Sequence, residues 1–412
     1  MIKIKKVVAV LVFILLVINL FAQTKPINPG QLGGKNYDLK KWPNPVESAV
    51  PFLTIAPDSR SGGMGDVGAA TTPDINSMHW NPAKYAFIEN DGGVSISYSP
   101  WLRNLVGDIN LAYVSGYKRI DRESVIAASL LYFSLGEINF TDDYAQPIKV
   151  GKPNEFALDV AYSRLFGPHI SGGIAFRYIR SDLSTGLTVN DVPTKAGQSF
   201  ATDISVFYNK KISLGDKDSK MAFGLNISNI GNKISYTSDL DKDFIPINLR
   251  LGGALTVDLD EYNSLTLATD VNKLLVPTRP VYWSKVNGQD SLDDNGRRII
   301  KYGKNPEVPV VKGMFQSFYD SPGGFEEEIR EFTISAGFEY WYRKQFAIRG
   351  GYFHENIYKG NRKFFTMGIG LKLNVLGMDF SYLIPTYANH PLANTLRFSI
   401  YFDFDAFRKL KE

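Results

Sequence analysis

The sequence predicts an all-β transmembrane protein: a fourteen-stranded antiparallel outer-membrane β-barrel with a Gly-rich, short-helix hatch in its lumen. Three observations carry this. The chain opens with an export signal, its later two thirds alternate apolar and polar residues with a period of two, and its connections alternate between short and long.

Lys3, Lys5 and Lys6 precede an apolar run from Val7 to Phe21, with the small Ala22 before polar Gln23-Thr24-Lys25. Residues 1–22 therefore read as a signal peptide cleaved after Ala22, the run being too short for a membrane helix. Its removal takes three lysines and no acid from a net charge of +4, leaving +1. That balance argues against a nucleic-acid partner. The chain has no Cys, so it carries no disulfide, no lipoprotein anchor and no thiolate nucleophile. Aromatics make up 13% of residues, a load suited to a water–lipid boundary. An exported chain whose later segments offer no long apolar helix spans a membrane only as a closed barrel.

Residues 23–50 are polar and rich in proline and glycine, and read as a flexible periplasmic leader. Residues 51–92 form the hatch. Gly62, Gly63, Gly65 and Gly68 are too dense for a free-standing helix or a packed strand, and Asn81-Pro82 reads as an N-cap and first-turn proline.

From Gly93 the period is two, with fourteen strands beginning near residues 93, 107, 122, 154, 169, 198, 219, 246, 262, 331, 345, 362, 377 and 394. The barrel spans 93–407 and leaves 408–412 as a periplasmic tail. In the strand near 331, Phe332, Ile334, Ala336, Phe338 and Tyr340 alternate with Thr333, Ser335, Gly337 and Glu339. A soluble β-sandwich alternates too, but the connections discriminate. Even-numbered ones are tight, as at Ile120-Asp121, Gly167-Pro168 and Asp260-Glu261, whereas most odd-numbered ones are long. Short turns on one side and long loops on the other are the pattern of bacterial barrels, with the long loops outside.

The longest loop, 274–330, exceeds ordinary connections. It holds Trp283, Phe315, Phe318 and Tyr319, and an acidic run Glu326-Glu327-Glu328. Lumen-facing charges of both signs (Asp159, Asp203, Arg250, Asp270, Glu339, Arg349, Asp379 and Arg397 among them) read as a salt-bridged interior rather than a polar conduit.

Enzyme signals are weak. His79, His169, His354 and His390 are scattered, with His354 expected at the lipid interface near the outer rim, and no nucleophile, metal or phosphate motif is present. Asp290 to Gly296 has the wrong ligand spacing for calcium. The sequence calls for no cofactor and no metal.

Asp58-Ser59-Arg60, Gly63-Met64-Gly65-Asp66 and Asn81-Pro82-Ala83, within a run from Phe52 to Phe87, resemble the hatch of the FadL-like outer-membrane proteins. More narrowly, the run resembles the PorV (LptO) family of the type IX secretion system, and the likeness extends over the barrel. The resemblance implies a carrier rather than a pore. It would meet the type IX translocon barrel, collect the C-terminal signal domains of cargo, and pass them to a sortase and attachment complex that links cargo to lipopolysaccharide. Trp283, Phe315, Phe318 and Tyr319 are then the expected aromatic anchor for cargo or translocon. The competing reading is a FadL-type transporter of hydrophobic small molecules, with Gly172-Gly173, Gly252-Gly253 and Gly350-Gly351 as strand kinks opening to lipid.

Overall fold

A computed structural model describes residues 43–404, apart from 104–105, 142–143, 185, 190–191, 238–241, 284–291, 294–295 and 388–389. The signal peptide, most of the leader, the tail after 404 and much of the calcium-like stretch lie outside the described residues.

Fourteen strands close into one antiparallel barrel in sequence order. They are β1 (Gly92–Pro100), β2 (Asn110–Arg119), β3 (Ser124–Ser134), β4 (Asn154–Leu165), β5 (Ile170–Asp182), β6 (Gly197–Leu214) and β7 (Lys217–Gly231). The second half comprises β8 (Asn248–Asp258), β9 (Asn263–Leu274), β10 (Thr333–Tyr342), β11 (Phe346–His354), β12 (Lys363–Lys372), β13 (Leu376–Pro385) and β14 (Leu396–Asp403). β1 pairs with β14, Ser97 opposite Ser399, so no sheet edge is left open. No helix among the described residues is long and apolar enough to cross a membrane.

The alternation sorts side chains as a barrel requires. Ile96, Phe338, Phe398 and Ile400 stand exposed on the outer surface, whereas Ser97, Glu339, Arg397 and Ser399 are buried inside. The last strand ends at Asp403, short of the expected 407. Asp258, at the short-turn end of β8, is exposed.

The hatch threads the lumen from one mouth to the other. Its single-turn helices are α1 (Ser59–Gly62) and α2 (Ser77–Trp80), followed by a 3-10 turn over Pro82–Phe87. It emerges at the short-turn mouth, where Arg119 N donates to Asp91 O at 2.8 Å just before β1 begins. Its other end corrects one expectation. The described part of the leader, 43–50, does not lie on the short-turn, periplasmic side. Asn44 donates to Glu327 Oε1 at 3.0 Å in the longest loop, and Ala49 N donates to Phe244 O at 2.9 Å. Val50 is buried in the cluster of Phe52, Ile245 and Leu275. This stretch is packed into the long-loop mouth, and from there the chain descends through its own barrel.

The loop between β9 and β10 is structured. It contains a hairpin pairing Val281–Tyr282 with Ile300–Tyr302, then α3 (Val310–Gln316) and α4 (Phe325–Arg330).

Candidate functional site: a charged hatch and a long-loop cap

An irregular backbone at membrane depth must find its hydrogen bonds in protein. The barrel wall supplies them from short polar side chains. Ser59 N donates to Ser399 Oγ at 2.9 Å and Gly65 N to Thr366 Oγ1 at 2.8 Å. Gly68 N and Ala69 N share Asp270 Oδ2 at 2.8 and 2.9 Å. Ala83 N donates to Ser205 Oγ, and Asn226 donates to Trp80 O. Asn81 caps the 3-10 turn by accepting from Ala83 N, while its amide donates to Ala69 O and Val206 O. Pro82 occupies the first position of that turn.

Asp58 caps α1 through Ser61 N at 2.9 Å and accepts from Trp80 Nε1 at 2.6 Å. Lys84 is fully buried and donates to Gly68 O and Thr71 Oγ1.

Arg60 locks the hatch to the wall. Its Nη2 and Nε meet Glu339 at 2.7 and 2.9 Å, and its Nη1 meets Asp74 at 2.8 Å. Glu339 in turn receives Arg349 Nε at 2.7 Å, and Arg349 Nη1 reaches Asp379 at 2.6 Å. Across the lumen, Arg177 bridges Asp159 at 2.6 Å and Asp203 at 3.2 Å, and also donates to Asn229. The lumen charges thus form a salt-bridged interior.

Glycine permits the close approach. Gly65 adopts φ +74°, and a Cβ there would sit 2.6 Å from Tyr352 N. On the wall, Cβ atoms at Gly337 and Gly351 would strike the Met64 backbone, and one at Gly173 would sit 2.6 Å from Ala83 N. The doublets expected to kink the wall for a lateral opening therefore seat the hatch. Gly172-Gly173 and Gly350-Gly351 keep continuous pairing on both sides, as does Gly252-Gly253.

The cap over the long-loop mouth has two chemistries. Beneath it, Glu327, Glu328 and Glu331 are buried against two lysines. Lys273 Nζ contacts Glu331 Oε2 at 2.5 Å and Glu328 at 3.3 Å, and Lys359 Nζ contacts Glu327 at 2.6 Å and Glu331 at 2.9 Å. Burial alone would raise Glu331, but Lys359 and Lys273 outweigh it and hold the carboxyl below its usual range. Asp320, buried with no lysine of its own, is pushed up to about 7 by burial and then by Glu328. The acidic run is thus mostly internal; of its three residues Glu326 faces out, paired to Arg330 at 2.6 Å. The i, i+4 spacing of Glu327 on α4 and Glu331 at its C-cap was the available signal.

On the outer surface of the cap, α3 and the residues after it expose Val311, Phe315, Phe318 and Tyr319. Lys304 Nζ lies 3.6 Å over the Tyr319 ring. Phe325 and Ile329 on α4 are also exposed. Trp283 stands on another element, beside the Val281–Tyr282 strand, under Lys301 Nζ at 4.8 Å. The structure thus gathers three of the four expected aromatics on one short segment and places Trp283 on the hairpin.

The histidines are dispersed. His354 corrects its expected interfacial placement: it is buried, with Tyr352 Oη at 3.3 Å from Nδ1. His169 is exposed beside Asn209 O, and His79 packs edge-on against Trp80 within the hatch.

A family model described as "Type IX secretion system protein PorV" matches residues 40–281, more than half of the 412 residues. No curated protein matches. Among solved structures, the chain is similar to the Ralstonia pickettii toluene transporter TbuX, with 9% identity over 84% of this chain and 96% of that one, at a TM-score of 0.42. It is also similar to a Pseudomonas aeruginosa FadL homologue, with 13% identity over 84% and 98%, TM-score 0.42. A third likeness is the Pseudomonas putida toluene transporter TodX, with 10% identity over 83% and 95%, TM-score 0.42. With the closed fourteen-strand barrel established by its own strand pairing and the family match covering the hatch and β1 to β9, the chain belongs to the PorV family of type IX secretion outer-membrane proteins.

Proposed function

We propose that this protein is the membrane-held carrier of a type IX secretion system. In this reading it receives the C-terminal signal domain of cargo from the translocon barrel and delivers it to the sortase and attachment complex, which joins cargo to lipopolysaccharide. One observation carries the reading beyond family membership. The lumen is occupied by the protein's own hatch, held by wall hydrogen bonds and by the Arg60–Glu339 pair. The large apolar groups exposed beyond the barrel wall include Phe315, Phe318, Tyr319 and Trp283 of the cap. A surface of exposed aromatics rimmed by lysines suits a protein partner. The barrel then serves as body and the cap as contact surface.

Replacing Trp283, Phe315, Phe318 and Tyr319 together with serine tests this. The carrier reading predicts loss of co-purifying cargo with normal insertion, checked by heat-dependent gel mobility of the barrel. Undiminished cargo capture by the inserted variant refutes the assignment.

A further inference from the structure

Between the hatch and the cap lies a cavity of about 160 Å³. Its floor includes Asp66, His79 and Trp80, and its walls carry Arg177, Arg250 and Arg397. The charges lining it are paired, with one exception. Arg177 has Asp159 and Asp203, Lys359 has Glu331, Arg362 has Glu355, and Arg397 has Asp66 at 3.5 Å. Arg250 has no carboxylate within ion-pair distance among the described residues. Its Nε donates to Asn272 Oδ1 at 2.8 Å and its guanidinium lies 4.4 Å from the Trp80 ring. Its Nη1 is buried with no hydrogen-bond partner. Asp270, opposite Gly252 on the neighbouring strand β9, commits Oδ2 to two hatch amides and leaves Oδ1 without a hydrogen-bond partner.

Two further buried donors at the same cavity lack partners. They are Arg397 Nε, on a side chain only 2% exposed, and His79 Nε2. The His79 ring stands 4.8 Å from the Trp80 ring that Arg250 covers. The His79 ring thus stands beside a guanidinium that has no carboxylate at ion-pair distance among the described residues. A buried charge without a partner is costly, and buried polar atoms without partners call for an explanation. Asp66 Oδ1 on the same cavity also lacks a hydrogen-bond partner but has Arg397 Nη1 at 3.5 Å; the three nitrogen atoms share one explanation.

We infer that this cavity is a binding site for a single carboxylate, held by Arg250 with Arg397 Nε and His79 Nε2 as further donors. One uncompensated guanidinium calls for one negative charge, which a carboxylate supplies and a phosphate dianion exceeds. The guanidinium fork matches two coplanar oxygens. Leu53, Ile55, Phe353 and Leu392 on the same cavity suit the carbon skeleton behind the group. The carboxylate belongs either to a small free acid or to the end of a peptide chain. The site is separate from the cap aromatics, so its failure leaves the carrier reading standing.

The test is titration of the full-length barrel in nonionic detergent, following Trp fluorescence (Trp80 lies beside Arg250) and confirmed by calorimetry. The probes are acetate, octanoate, N-acetylglycine, neutral N-acetylglycinamide and inorganic phosphate. The inference predicts saturable binding of the carboxylates and none of the amide. Affinity should fall about ten-fold or more in Arg250→Gln, as expected for losing one charge-assisted hydrogen bond, and Arg250→Lys, which keeps the charge without the fork, should recover only part of it. Stronger binding of octanoate points to a small acid, and stronger binding of N-acetylglycine to a chain end. Should Arg250→Gln fail to fold, His79→Phe replaces it, with a weaker loss predicted. No saturable carboxylate binding, equal binding of the amide, preference for phosphate, or an unchanged affinity in the folded variants overturns the inference.

Discussion

Arg60 ties the hatch electrostatically to the barrel through Glu339, and Arg60→Met isolates that tie. The substitution keeps much of the aliphatic volume and removes both contacts to Glu339 and the one to Asp74. Glu339 keeps Arg349, but Asp74 loses its ion pair. Removing one member of a buried pair costs about 3–5 kcal/mol. At about 1.36 kcal/mol per decade, that is roughly two to four decades in the equilibrium between seated and released hatch. Amide exchange in detergent reads this directly. Ser61, Gly65, Gly68 and Ala69, whose N–H groups bond side chains of the hatch or the wall, should exchange at least about 100-fold faster. Strand amides on the β1–β14 seam should be unchanged. If the hatch amides stay as protected as in the wild type, the hydroxyl-lined wall holds the hatch unaided and the electrostatic argument is wrong.

Other perturbations probe the remaining parts. Gly351→Val drives a side chain into the Met64 backbone, so strain of about 1–3 kcal/mol or more should unseat the hatch and expose 58–70 to protease, whereas Gly167→Ala, with open space around it, should have no effect. Asp320 supplies a pH prediction. Its carboxyl is raised to about 7 in the folded cap, so its contribution is fully present below about 4, the ordinary aspartate value, and is lost as pH rises through 7. Protease sensitivity of the 303–332 segment should therefore increase over that window, and Asp320→Asn should flatten the increase; a parallel profile in the variant would contradict the assignment. Glu331 has the opposite sign, because Lys359 and Lys273 hold it low. Lys359→Met should loosen the cap at neutral pH without altering barrel closure, as judged by exchange in α4.

The barrel was legible because its signals are local and repeated. Each strand carries its own alternation, and each short turn marks its own end, so the fourteen strands fall where the period of two places them. The hatch was legible as a motif, since the crowding of Gly62 to Gly68 and the Asn81-Pro82 cap are short-range features. Its direction was not. Which mouth residues 43–50 occupy is decided by Asn44 meeting Glu327 and Tyr358, contacts about 300 residues apart that no local pattern encodes. The same limit hid the pairing of Lys273 and Lys359 with Glu327, Glu328 and Glu331. Wall glycines such as Gly351 were visible, but their purpose depends on what the hatch places opposite them. Arg250 was placed on the lumen face correctly; that it lacks an acid at ion-pair distance, unlike the other arginines of its cavity, emerges only once those have found theirs.

The central claim, a barrel closed by its own chain that works through its outer cap, is tested most directly by affinity purification of the tagged protein from its own outer membrane, with mass spectrometry of what accompanies it. The account predicts a very large translocon barrel and surface proteins sharing a C-terminal domain. Their absence, with bound hydrophobic small molecules in their place, would contradict it.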